Sequence, residues 1–433
     1  MGFVGTYVRN LAAVACGRQP AGPLMFSWYA THRCGLNCIY CCDGDGKRFA
    51  EDRVPELPTP EARGLIDRLA AAADTLDVTG GEPMLRPDLE ELLAHARARG
   101  MRTVLNTKGL GLADRPDLLR HTDILVLSLD SLEPARLAGL IGRDEPTARR
   151  VLDGLAFALD RRAATRTALV LSVVATPANL ADLEAVLAFA RREGLGFQIS
   201  PEIVGTRPNP ALRSSQGYRA LLHRVRRAKA DGAAVLGVEA YLRGIRDFAA
   251  FRCHPLLMPV IRPDGRMYYP CLESKNAQVN LLDHANYGEA LAEARRRFPG
   301  PLACGDCCHI FCHMALSLLQ RHPLQAAREL RGWQRLVAGP DAATPPRDGR
   351  QADRLVARKP AYDAGNTSGE VARNVAGNEA RDEAWRAAGS ETGNGDGRGS
   401  PPAPDRPATS PSAAGLGDPH PSRPASIHPG RSH

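Results

Sequence analysis

The chain has 433 residues, 43% of them hydrophobic, only 5% aromatic, and a formal net charge of +8, which is enough apolar material for a real core and enough length for two or three domains. No run of about 18 uninterrupted apolar residues occurs, so a membrane-spanning helix is not expected. No Lys/Arg run is interleaved with aromatics, so a nucleic-acid partner is not expected either. Residues 341–433 carry 12 Arg and Lys against 12 Asp and Glu, which leaves the positive charge on the rest of the chain; it permits an anionic partner without requiring one.

In chain order, residues 1–23 read as a lead-in, mildly amphipathic around Arg9 and Arg18 but without the charged-then-apolar layout of a secretory signal. A cytoplasmic protein is expected. Strand-like runs follow at 24–31, 75–79, 102–107, 123–130, 166–176 and 196–200, alternating with amphipathic runs such as "PDLEELLAHARARG", "EPTARRVLDGLAFALD" and "NLADLEAVLAFARREG". Apolar residues recur at three and four positions in these runs, which end at Gly or a polar turn. This alternation predicts an α/β fold, a partial (β/α)6 TIM-like barrel over 24–235, with chemistry at the C-terminal ends of the strands. A small cysteine-rich unit is expected over 236–337. Residues 338–433, rich in Gly, Pro, Ser and charge, are expected to form a disordered tail, because they have too little to bury to offset the entropy of ordering.

Of the eleven cysteines Cys16 stands alone and the other ten fall into two groups, and in a reducing compartment clustered thiols point to metals or redox chemistry rather than to structural disulfides. "THRCGLNCIYCCDGDG" places Cys34, Cys38, Cys41 and Cys42 in the loop after the first strand. Three thiolates suit three irons of a 4Fe-4S cubane and leave the fourth iron open to a small-molecule donor. The competing assignment is structural zinc, with Cys42 or His32 as a fourth ligand closing the shell.

"CGLNCIYC" after a first barrel strand resembles the signature of the radical S-adenosylmethionine (radical SAM) superfamily. The resemblance implies Cys34, Cys38 and Cys41 as cluster ligands, with the methionine portion of the cofactor on the open iron and Tyr40 beside its adenine. "DVTGGEP" resembles the family's Gly-Gly-Glu-Pro motif. Gly80 and Gly81 would allow close backbone approach, and Glu82 would accept from the cofactor ammonium. "LNTKG" and "LSLDS" resemble the ends of the third and fourth strands. They imply cofactor contacts from Asn106, Ser128 and Asp130, with Lys108 in place of the family's usual Asn. "QISPE" at the sixth strand is a candidate for backbone contacts to adenine, and Arg143 is either a partner for the cofactor carboxylate or a surface arginine.

A second cysteine group begins at Cys253, where a hairpin turning at Pro263, Asp264 and Gly265 is expected to bring Cys253 and Cys271 together. "CGDCCHIFC" follows. This layout resembles the SPASM or shorter twitch extension of radical SAM enzymes and implies one auxiliary 4Fe-4S cluster on Cys253, Cys271, Cys304 and Cys307, with Cys308 and Cys312 as competing ligands. Six thiols are too few for two fully thiolate-ligated cubanes. Structural zinc is the alternative here too. Residues 313–337 read as one helix packing a leucine face on the body.

The resemblance implies reductive cleavage of S-adenosylmethionine to a 5'-deoxyadenosyl radical, which takes hydrogen from a peptide or small-metabolite substrate, oxidising or crosslinking it, with electrons from flavodoxin or ferredoxin. Glu202, Tyr241 and Asp264 are the candidates for moving a proton. The non-catalytic alternative is a metal-stabilised basic protein that binds a partner or transfers electrons.

Overall fold

In the computed structural model the described residues are 2–41, 52–204, 206–274, 276–300 and 308–338. Cys42, Cys304, Cys307 and the expected tail from 339 onward lie outside them. Six strands follow one another across a sheet in chain order: β1 (Phe26–Thr31), β2 (Thr75–Gly80), β3 (Arg102–Thr107), β4 (Ile124–Ser128), β5 (Ala168–Ala175) and β6 (Gly196–Pro201). All five of their pairings are parallel, and each strand ends within two residues of its expected bounds. Helix α1 (Phe3–Ala15) precedes them. Then α2 (Thr59–Ala70), α3 (Leu89–Ala98), α4 (Pro134–Ile141), α5 (Glu145–Thr165) and α6 (Leu180–Glu193) supply the crossings, except between β3 and β4, where 3-10 turns do so.

Period-two alternation divides the two faces of the sheet. Leu105, Leu125, Leu127, Leu169 and Leu171 belong to the main core, while Val104, Ile124, Val126, Ala168 and Val170 form a separate apolar layer on the opposite face. On that opposite face Ser27 and Asp77 stand across from each other at the level of Val104, and further along the strands Ser128, Ser172 and Gln198 lie side by side in register.

Beyond β6 come a two-stranded ribbon of β7 (Ile203–Val204) and β8 (Arg207–Pro208) and helices α7 (Pro210–Ser214), α8 (Gln216–Ala230) and α9 (Glu239–Asp247). The cysteine-rich segment then joins the sheet. Strand β9 (Val260–Ile261) pairs parallel with β1, and β10 (Arg266–Tyr268) and β11 (Val279–Asn280) continue antiparallel, so nine strands run β11-β10-β9-β1-β2-β3-β4-β5-β6. The hairpin expected at Pro263–Gly265 is present. Arg262 N donates to Arg266 O at 2.8 Å, and Gly265, at φ +81°, donates to Arg262 O.

After α10 (Tyr287–Arg297), the stretch read as one helix is two, α11 (Phe311–Arg321) and α12 (Pro323–Ala338). Pro323 has no N–H to continue the ladder and disfavours helical geometry at His322, so the chain breaks there. The break lets α12 turn Trp333 and Leu336 onto the Val104–Val170 layer. α11 meanwhile packs on α1, where Tyr7 Oη donates to Leu319 O at 3.0 Å. The apolar half of the inner face is thus covered, and the polar half lies toward the C-terminal strand ends. Among the described residues no helix is long and apolar enough to cross a membrane.

Candidate active site

The cysteine loop leaves the end of β1 and is held from two sides. On one side Asn37 N and Ile39 N donate to Ile141 O and Leu140 O at the end of α4 (2.9 and 3.1 Å), and Arg143 Nε donates to Gly35 O. Arg143 therefore acts on the loop's own backbone. On the other side the Gly-Gly-Glu turn after β2 donates from Gly81 N to Thr31 O and from Glu82 N to Arg33 O, both at 2.8 Å. A Cβ on Gly80 would lie 2.1 Å from Thr31 O, and one on Gly81 would lie 2.3 Å from Arg33 O. The close approach these glycines permit is to the chain's own cysteine loop.

Cys34 is half-buried, Cys38 buried and Cys41 exposed. Leu36 N points at Cys34 Sγ (3.4 Å), and Cys41 N donates to Cys38 O at 3.1 Å, closing a turn. Burial raises the pKa of Cys34 and of Cys38, and the Lys108 charge offsets part of the effect at both. Three soft donors on one short loop, with a backbone N–H already aimed at one sulfur, suit a thiolate-ligated iron-sulfur cluster. Among the described residues no three His, Cys, Asp or Glu side chains converge on a single-ion site.

Glu82 is buried and accepts three hydrogen bonds, which leaves its Oε2 with room for a further donor. Its Oε1 accepts from Met84 N (3.0 Å) and Thr107 Oγ1 (2.7 Å), and its Oε2 accepts from Lys108 N (3.0 Å). Desolvation raises its pKa against those bonds. Tyr40, Lys108 and Asp130 form one bridge. Tyr40 Oη donates to Asp130 Oδ2, and Lys108 Nζ lies 2.8 Å from both that oxygen and the phenol oxygen. Asp130 Oδ1 is held by Val174 N at 2.9 Å. Burial works against the ammonium, but the charges of Asp130 and then Cys38 outweigh it, and the Lys108 pKa is raised.

Two of the expected cofactor contacts lie apart from this bridge. Asn106 donates to Asp77 Oδ1 on the inner face, where Ser27 Oγ donates to Asp77 Oδ2 at 2.9 Å. Burial pushes the Asp77 carboxyl up to about 6, with Ser27 and Asn106 pulling the other way. Ser128 stands beside Ser172 in the ladder. Of the proton-transfer candidates, Glu202 accepts from Asn209 (2.6 Å), Tyr241 Oη donates to Ile199 O (2.8 Å) and Asp264 pairs with Arg262 (3.3 Å). Asp77 was not singled out from the sequence. Its signal was a lone acid in an otherwise apolar strand beginning "TLDV".

In the cysteine-rich segment Cys253 and Cys308 are buried and Cys271 is half-buried. Cys312, on α11, packs with Tyr29 and Met25 against the layer that includes Val260 and Tyr268. Burial, followed by the Asp77 charge, pushes its thiol up to about 12.

Compared with known proteins, residues 28–190 match the Radical SAM superfamily. The chain is 43% identical over 83 residues to Fe-coproporphyrin III synthase of Methanosarcina barkeri, covering 19% of this chain and 20% of that protein. It is 32% identical over 211 residues to GTP 3',8-cyclase of Mycolicibacterium smegmatis, covering 45% and 57%. It is 29% identical over 184 residues to mycofactocin maturase of Mycobacterium tuberculosis, covering 41% and 44%. The chain thus spans from a fifth to somewhat over half the length of these relatives.

Proposed function

Because the chain belongs, through residues 28–190, to the radical SAM superfamily, we propose that it cleaves S-adenosylmethionine reductively and uses the product to oxidise or crosslink a peptide or small metabolite. The observation that carries this reading is the three-thiol loop clamped between α4 and the Gly-Gly-Glu turn at the polar end of the inner face. A cluster on Cys34, Cys38 and Cys41 with bound S-adenosylmethionine would supply one-electron cleavage and a hydrogen-abstracting carbon radical.

The chain's own residues hold and shield. Tyr40, within the loop, stands with Asp130 to receive the nucleoside, and Glu82 presents the buried carboxylate for the cofactor ammonium. The polar ladder of Ser128, Ser172 and Gln198 offers hydrogen bonds to a substrate above the apolar plug made by α12. Asn106 steadies Asp77 within that layer.

Over 236–337 the reading is a SPASM- or twitch-like unit holding one auxiliary 4Fe-4S cluster through Cys253, Cys271, Cys304 and Cys307. The hairpin and its extension of the barrel sheet support it. The identity to a mycofactocin maturase supports a peptide substrate, and that to a GTP cyclase a small one. The net charge of +8 suits an acidic reductant such as flavodoxin or ferredoxin.

Anaerobic reconstitution with iron and sulfide, followed by dithionite and S-adenosylmethionine, tests the reading. About eight irons per chain and 5'-deoxyadenosine are expected, with the Cys34→Ala, Cys38→Ala, Cys41→Ala triple variant losing the cleavage but keeping the auxiliary iron. Bound zinc without cleavage overturns it in favour of a metal-stabilised binding protein.

A further inference from the structure

Lys108 occupies a position that the cofactor assignments do not use, yet its ammonium bridges two residues that they do use, Tyr40 and Asp130. It is 9% exposed. Its ammonium sits 2.8 Å from Tyr40 Oη, 2.8 Å from Asp130 Oδ2 and 5.5 Å from the centre of the Tyr40 ring. Its backbone N–H is fixed by Glu82 Oε2. The residue therefore joins the cysteine loop through Tyr40, the turn after β2 through Glu82 and the end of β4 through Asp130. These partners restrain the ammonium and, through it, the phenol.

We propose that Lys108 is a positioning residue for S-adenosylmethionine, one that locks the Tyr40 phenol against Asp130 and places a fixed positive charge beside the cluster thiolates. This rests on the radical SAM reading of Cys34, Cys38 and Cys41. Two consequences separate it from a purely structural ion pair. The first is geometric: losing the ammonium frees Tyr40 to rotate, which weakens cofactor binding. The second is electrostatic. Reduction adds negative charge to the cluster, a neighbouring cation favours the reduced form, and removing the cation moves the midpoint potential to more negative values.

The test uses the full chain reconstituted with its clusters and compares the unaltered protein with Lys108→Met, Lys108→Arg and Tyr40→Phe. Iron content, equilibrium binding of S-adenosylmethionine, and the potential of the cofactor-binding cluster from EPR-monitored titration are read for each. Lys108→Met should keep its iron, bind S-adenosylmethionine about tenfold or more weakly, as loss of a charge-assisted hydrogen bond predicts, and titrate at a more negative potential. Lys108→Arg should recover much of both.

Breaking a buried pair can unfold a protein, and Tyr40→Phe covers that case because it leaves the Lys108–Asp130 pair intact. It should weaken cofactor binding with little change in potential. Unchanged affinity in Tyr40→Phe, or unchanged potential in a loaded Lys108→Met protein, overturns the proposal. If the unaltered protein assembles no cluster on the first cysteine loop, it is the underlying reading that fails.

Discussion

Glu82 Oε2 accepts the backbone N–H of Lys108 at 3.0 Å, so the ends of β2 and β3 are tied through a buried carboxylate rather than through the ladder alone. Thr107 Oγ1 donates to its other oxygen at 2.7 Å, as does Met84 N at 3.0 Å. All three partners are donors. Glu82→Gln must aim an NH2 at one of them, leaving a buried donor unsatisfied at a cost of about 1–3 kcal/mol. A lower denaturation midpoint in the apo-protein, together with weaker S-adenosylmethionine binding, is the expected outcome, and equilibrium urea unfolding checks it.

The two motif glycines and Gly35 should behave oppositely. A Cβ at Gly80 or Gly81 meets backbone oxygens of Thr31, His32 or Arg33 within 2.1–2.6 Å, whereas one at Gly35 meets nothing within 4 Å. Gly80 also sits at φ +142°. Gly80→Ala and Gly81→Ala should each cost about 2 kcal/mol or more and lower iron loading. Gly35→Ala should stay within about 0.5 kcal/mol of the parent. Thermal melts of the three variants give the comparison.

Asp77 makes the stability of the fold depend on pH. Its folded-state pKa, pushed up to about 6 by burial, lies above its unfolded value. The folded chain therefore holds the proton more tightly, and the stabilisation is complete below the unfolded pKa and is lost as pH rises through about 6. A shift of about two units corresponds to roughly 2–3 kcal/mol. Asp77→Asn should remove that loss between about pH 4 and pH 7, as urea titrations at both pH values would show. Equal pH slopes in parent and variant would contradict the assignment.

Arg86 is a buried structural cation. Its guanidinium bonds Ala30 O (3.1 Å), Leu57 O (2.9 Å) and both Asp88 oxygens (2.8 and 2.7 Å), and it lies over the Trp28 ring. Arg86→Met leaves two carbonyls and a carboxylate without this partner. A loss of about 3–5 kcal/mol is expected, visible in the denaturation midpoint.

The strand positions, the alternation with helices and the cysteine loop were legible in the residues, because period-two and period-3.6 patterning and cysteine spacing are local properties of a chain. The turn at Gly265 was legible for the same reason. The single helix read over 313–337 was not, since the Leu periodicity runs past the one residue, Pro323, that ends it.

What only the tertiary structure decided are meetings between residues far apart in sequence. Nothing local tells that Lys108 is pinned between Tyr40 and Asp130, that Asn106 turns to Asp77, that Gly81 is needed for Arg33 O, or that β9 extends the barrel sheet beside β1. Each depends on which strand ends become neighbours once the inner face closes under α12. Sequence by itself determined the spacing of the thiols and the order of the strands, because those are written along the chain. The charge and hydrogen-bond network around the thiols came only with folding, because burial sets which partners a polar group must find.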